Sequence, residues 1–84
     1  MSADGTGREL FARARGGDRR AQDELAQANL GLVYSLASRL SYGGLAEYED
    51  LVGAGSMGLF KAIMNFDETR GLAFSTYAVP MIIG

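Results

Sequence analysis

A chain of 84 residues with a 48% apolar share and a formal charge of −2 is sized for one small domain and is too apolar to stay disordered throughout. It has no cysteine and no histidine, which excludes disulfides and the usual thiolate or imidazole metal ligands and fits a reducing, cytoplasmic setting. Its 8 basic residues are scattered, so composition argues against tight DNA binding by this chain alone, because phosphate neutralisation supplies most of such affinity.

In chain order the sequence reads as helices joined by glycine turns. Met1 to Thr6 lacks the basic stretch and apolar core of a signal peptide. Thr6-Gly7-Arg8-Glu9 has the form of a capping box, and Leu10, Phe11 and Ala14 follow as a short apolar stripe. Gly16-Gly17 ends this first helix, and Asp18 is placed to cap a second, in which Ala21, Leu25 and Ala28 recur at helical spacing. From Asn29 a third stretch carries Leu30, Val33, Ala37 and Leu40 on one face, with Leu32 and Leu36 in a row beside it. Nothing at Ala28-Asn29 demands a break, so the second and third stretches can run on as one helix.

Gly43-Gly44 interrupts the pattern, and a fourth helix is expected from near Glu47 to Asn65, with Glu47, Glu49 and Asp50 in its first turn. Val52, Leu59, Ile63 and Phe66 form one apolar row of this helix; Met57, Phe60 and Met64 form another. Gly53, Gly55 and Gly58 lie inside, each costing about 1 kcal/mol relative to alanine, so either another helix approaches closely or the helix is locally weak. Asn65 to Gly71 reads as a charged turn. Phe74-Ser75-Thr76-Tyr77 opens a fifth helix with Ser75 as its expected cap, and Pro80 removes a backbone donor from its second turn. No segment makes a good strand, and the longest apolar runs, such as Ala78 to Ile83, are too short to span a bilayer. The expected fold is all-α, a small bundle of about five helices with the last cut short at Gly84. Residues 1–17 form an N-terminal helix and turn, and residues 18–84 the main unit.

The residues offer little for catalysis. Without histidine or cysteine there is no Ser-His-Asp triad and no Cys-His pair. Glu47, Glu49 and Asp50 are read as helix N-terminal charge rather than a cation or acid-base site. Gly53-Ala54-Gly55-Ser56-Met57-Gly58 resembles a phosphate loop but follows no strand and lacks the Gly-Lys-Ser/Thr ending. Asp67 to Arg70 is read as a solvated turn. No metal site and no cofactor is expected, and the chain is not read as an enzyme. Surface recognition remains. The third and fourth helices each carry a second apolar row, which serves either a docking surface or a core that wraps several sides of each helix.

Three collinear segments carry a family resemblance. Asn29-Leu30-Gly31-Leu32-Val33 is similar to the N-L-R-L-V helix start of bacterial sigma-70-family transcription initiation factors. Asp50 to Ala62 resembles that family's D-L-x-Q-x-G-x-x-G-L-x-K-A signature, and Phe66-Asp67 followed by Phe74-Ser75-Thr76-Tyr77-Ala78 completes it in order. Val79 to Gly84 is similar to the sporulation and stress subgroup, which has this run where housekeeping members carry two tryptophans. The chain thus resembles region 2 of a sigma factor, cut off as its promoter-melting helix begins.

This resemblance implies a protein that binds core RNA polymerase for promoter-directed initiation, the signature helix docking on a coiled coil of the β′ subunit. Asp50, Gly53, Ala54, Ser56 and Phe60 match family contact positions, with Leu30 and Val33 on the neighbouring helix. Leu51, Val52, Leu59, Ile63 and Phe66 are assigned to the core. Phe74, Ser75, Thr76 and Tyr77 open the promoter-DNA segment, where Tyr77 matches an aromatic that captures a flipped base. Gly53 stands where the family has glutamine, which removes a polar contact and weakens the helix, and Pro80 and Met81 stand at the tryptophan positions. The helix that reads the −10 element is missing, so promoter DNA is expected to bind weakly or not at all. Two alternatives accompany this reading. One is a truncated decoy or regulator that occupies polymerase or an anti-sigma factor. The other is a helical module that self-associates through Val79 to Ile83.

Overall fold

The computed structural model describes residues 3–84, with side chains from residue 7 onward. The chain forms α1 (Ala3–Arg15), α2 (Arg19–Leu40), α3 (Leu45–Asn65) and α4 (Phe74–Ile83), with a 3-10 turn, Glu68–Arg70, leading into α4. There is no strand among the described residues. The architecture is an all-α bundle of four helices rather than five, because Ala28-Asn29 lies inside one continuous helix. The Asn29 side chain donates to the Leu25 carbonyl at 2.8 Å, back along the helix, instead of ending it.

The helix ends follow from local chemistry, with three corrections. Gly17 ends α1 at φ 102°, and the Asp18 carboxylate then accepts from the Arg20 and Ala21 amides, capping α2. Position 6 is not a cap, since α1 already runs from Ala3; the Thr6 side chain lies outside the described residues. Gly44, at φ 89°, precedes α3, which starts two residues before Glu47. Glu47 alone of the three acids sits in the first turn, and its Oε1 accepts from the Tyr42 and Gly43 amides at 2.6 and 3.0 Å. Those bonds hold the Glu47 carboxyl below its ordinary range. Ser75 does not cap α4; the cap position is Ala73, which contributes no side-chain bond, and Ser75 lies exposed in the first turn. Pro80 is accommodated within α4 because Thr76, whose carbonyl loses its donor, and Pro80 itself both face solvent.

The core is shared by all four helices. Ala14 of α1, Val33 of α2, Leu59, Ala62 and Ile63 of α3 and Ala78 of α4 are almost completely buried. Two of the three glycines in α3 are explained by the crossing of α4. A Cβ on Gly58 would lie 2.2 Å from the Met81 carbonyl oxygen, and one on Gly55 would meet Val33 and Ile82 at 3.0 and 3.1 Å. Gly53 faces open space, so there the helix is simply weaker than it would be with alanine.

At the other end of the bundle four aromatic rings stack. Phe11 lies 4.8 Å from both Phe66 and Phe74 between ring centres, and Tyr77 lies 5.6 Å from Phe66. Beside them Arg15 of α1 grips the turn before α4. Its Nη1 donates to the Phe66 carbonyl at 2.8 Å, and both terminal nitrogens donate to the Glu68 carboxylate, Nη2 to Oε1 at 3.0 Å. Glu68 therefore does not belong to a solvated turn; its side chain is only 9% exposed.

The bond from Arg15, with a smaller backbone contribution, holds the Glu68 carboxyl below its ordinary value of 4.5. Folding thus gains from the ionised carboxylate at any pH above that unfolded value, and the gain disappears as pH falls through the lower folded one. Thermal melts taken from neutral pH downward are expected to show stability dropping in acid. The drop should be shallower in Glu68→Gln, which starts from a lower neutral-pH melting temperature. Superimposable pH profiles for the two proteins would contradict the ion pair.

Candidate functional site

The outward face of α3 is set by helical spacing. Asp50, Gly53, Ala54, Met57, Phe60 and Lys61 fall at i, i+3, i+4, i+7, i+10 and i+11 and are all exposed. The opposite face, through Gly55, Leu59, Ala62 and Ile63, is buried. Met57 and Phe60 are the large apolar side chains of this ridge, 69% and 47% exposed. With Ser56 and the stem of Lys61 they edge a shallow, almost wholly apolar hollow of ≈ 330 Å³. Asp50 stands at one end of the ridge and makes no ion pair among the described residues.

The structure brings most of the sequence-derived contact residues to this face, with two qualifications and one correction. Ser56 is half-buried at the edge of the ridge, and its hydroxyl donates to the Val52 carbonyl at 2.7 Å, leaving only its lone pairs for a partner. Leu30 is half-buried on α2 and packs on the core. Val33 is not a surface residue. It is 0% exposed, because α4 crosses over it and Ile82 shares with it the space opened by Gly55. Val33 forms the floor of a narrow groove of ≈ 40 Å³ whose walls include Leu36, Leu40, Ala54 and Ile83. The second apolar row of α2 is likewise turned inward, Leu32 and Leu36 both packing on the core. α3 thus exposes its apolar ridge, while α2 exposes Tyr34 and Leu40 and α4 exposes Ile83.

Met57 was not among the sequence-derived contact residues. The signal was present, since it stands in one apolar row with Phe60 and Met64, but row membership does not say which row faces out.

The segment opening α4 forms a separate place. Phe74 is half-buried within the aromatic stack, 4.8 and 5.2 Å from Phe11 and Phe66, while Ser75 and Thr76 are exposed. Tyr77 is half-buried and lines a hollow of ≈ 370 Å³ together with Asn65, Phe66, Asp67, Arg70 and Leu72. Sequence reasoning passed over Asn65, Arg70 and Leu72, since only the fold of the turn carries them next to Tyr77. Asp67 is fixed in this wall, its carboxylate accepting from the Thr69 hydroxyl at 2.6 Å and the Thr69 amide at 2.9 Å. These bonds hold it below the usual carboxylate range. Among the described residues no acidic cluster could hold a metal ion, and no helix is long and apolar enough to cross a membrane.

Comparison with known proteins assigns this arrangement to a family. The family model described as Sigma-70 region 2 matches residues 25–84. The RNA polymerase sigma-F factor of Bacillus subtilis (strain 168) is 44% identical over 77 residues, spanning 92% of this chain and 30% of its own length. A putative RNA polymerase sigma-G factor of Bacillus thuringiensis subsp. kurstaki is 46% identical over 78 residues, covering 92% of this chain and 61% of that protein. The sigma-G factor of Bacillus subtilis is 47% identical over 79 residues, 30% of its length. The chain thus spans less than two thirds of these curated relatives. With the match running over the whole of α3 and α4 and most of α2, the chain belongs to the Sigma-70 region 2 family.

Proposed function

We propose that this chain acts as a sporulation- or stress-type sigma factor fragment that docks core RNA polymerase through the outward face of α3, with the β′ coiled coil as its partner. One observation carries the reading. Met57 and Phe60 stand exposed on the face opposite the core, where a chain of this size would otherwise have polar side chains. An apolar, acid-ended ridge on a helix suits a groove or ridge on another helical element, with the two large side chains as anchors. Asp50, Gly53 and Ala54 give that partner close approach at the N-terminal half, and Ser56 offers an acceptor. The chemistry is docking rather than catalysis.

Tyr77 supplies a secondary contact. Its hollow has one aromatic wall, one cation in Arg70 and amide and carboxylate groups in Asn65 and Asp67. That combination suits an unstacked base, which gains about 1–3 kcal/mol on an aromatic face. A second reading is a regulator that holds polymerase without initiating, and the same α3 face would serve it.

Immobilised protein is expected to retain both purified core polymerase and an isolated β′ coiled-coil peptide, with roughly micromolar affinity or better for the peptide. Passage of both without retention sinks the docking reading. Retention together with silence in promoter-directed transcription supports the regulator over the initiator.

A further inference from the structure

Part of the wall of the hollow around Tyr77 is held from behind by α1, a helix that lies outside the segment matched by the family model, which starts at residue 25. We infer that α1 sets the shape of this hollow, with Arg15 as its positioning residue. The inference rests on the reading of the hollow as a base site only for its ligand; the positioning itself stands on contacts.

Three of the six lining residues, Phe66, Asp67 and Arg70, belong to the short segment that α1 holds. Arg15 donates to the Phe66 carbonyl and to both oxygens of Glu68, which lies between Asp67 and Arg70. Phe11, one turn earlier on α1, stacks on Phe66, and Phe66 is in turn the ring against which Tyr77 rests. The turn's own bonds are all local: the Asp67 cap on the Thr69 amide and hydroxyl does not tie it to the rest of the bundle. It spans three residues, and its own backbone bond, from the Arg70 amide to the Asp67 carbonyl, is long at 3.3 Å. Such local bonds shape the turn but do not seat it against the bundle, so its place there is set by what it is tied to, which is Arg15 and Phe11. The planar guanidinium fork is suited to that task, since it fixes a carboxylate and a carbonyl in one geometry where an ammonium would fix neither direction. Arg15 removal would also leave the Glu68 carboxylate, 9% exposed, without its partner.

Arg15 is itself 42% exposed, so a direct contact with a phosphate is the competing role. Glu68→Gln separates the two. It removes an anion and frees the guanidinium, so a phosphate contact would bind DNA more tightly, whereas a lost clamp would bind it less tightly.

The experiment uses the 84-residue protein and an eight-nucleotide single-stranded oligodeoxyadenylate, chosen because a purine offers the larger stacking face. Amide hydrogen exchange is followed at Thr69 and Arg70 and, as a control, at Leu59 and Ile63; the Tyr77 ring resonances report binding. In Arg15→Ala, exchange at Thr69 and Arg70 is expected to rise about tenfold or more with Leu59 and Ile63 unchanged. Octamer affinity should fall about three- to tenfold in both Arg15→Ala and Glu68→Gln, with Arg15→Lys between them and the wild type. If Arg15→Ala loosens Leu59 and Ile63 as well, the milder Arg15→Lys and Glu68→Gln decide the matter by the same readouts. Unchanged exchange at Thr69 and Arg70, or tighter binding by Glu68→Gln, overturns the inference. If the octamer fails to move the Tyr77 ring in the wild type, the base-site reading falls, while the exchange results still decide whether α1 holds the wall.

Discussion

Gly58→Ala is expected to drive α4 away from α3 and to cost about 3 kcal/mol or more, at or above the top of the range for overpacking a core. For a domain of this size that is a fall of roughly 12–24 °C in melting temperature. The size follows from what the new methyl group meets. It would lie 2.2 Å from the Met81 carbonyl oxygen and its neighbours would be the Met81 carbonyl carbon and the Ile82 Cα, all of them backbone. A side chain can rotate away; the backbone of a packed helix can yield only by moving the helix, and with it the buried Ala78 and Ile82. Gly53→Ala supplies the opposite sign. It faces open space on the same helix, so the only effect is the gain in helix propensity, up to about 1 kcal/mol. Melting curves of the two variants should therefore move in opposite directions. Equal shifts would mean that α4 does not cross α3 at Gly58.

Met57→Glu combined with Phe60→Glu is expected to abolish capture of the β′ coiled coil while leaving the fold intact. Central anchors of an interface are worth about 2 kcal/mol or more each, so the pair should weaken binding by well over a hundredfold. Both side chains are exposed, and new carboxylates there have water to solvate them, so the circular dichroism and melting temperature should stay near those of the wild type. Val33→Asp is the contrasting case. It places a charge at a position that is 0% exposed, and it should unfold the protein rather than act on docking alone. Loss of helicity in the Met57/Phe60 double variant would place that row in the core. Full retention of polymerase by a folded double variant would move the docking surface elsewhere.

The contrast between Val33 and Phe60 shows where the sequence stopped being legible. Both lie on apolar rows at helical spacing, and spacing alone assigns a residue to a face without saying which face is covered. That is decided by α4, which lies across Gly55 and Gly58 and closes over Val33, so the outcome depends on a crossing rather than on local pattern. The glycines carried the same ambiguity, since close approach at Gly55 and Gly58 and open space at Gly53 look identical in one dimension. Features governed by neighbouring residues were readable: the Asp18 cap, the glycine turns at Gly17 and Gly44 and the all-α class, while the pattern leaves the join at Ala28-Asn29 open and reads as about five helices where four form. The burial of Glu68 was not readable, because its partner Arg15 lies 53 residues away and a charged tetrapeptide gives no local sign of a distant guanidinium. The same holds for Asn65 and Leu72, which join Tyr77 around one hollow only once the turn has its shape.

The aromatic stack ties Phe11, from the first helix, to Phe74, at the beginning of the last. Phe11 and Phe66 can pair without Phe74, but the full stack needs contacts between residues far apart in the chain, whereas α2 and α3 are neighbours joined by a short turn. Closing the stack is thus a late step in folding compared with pairing of the neighbouring α2 and α3, and before it Phe11 and Phe66 cover each other only in part. Rings left uncovered in such a partly folded state favour aggregation.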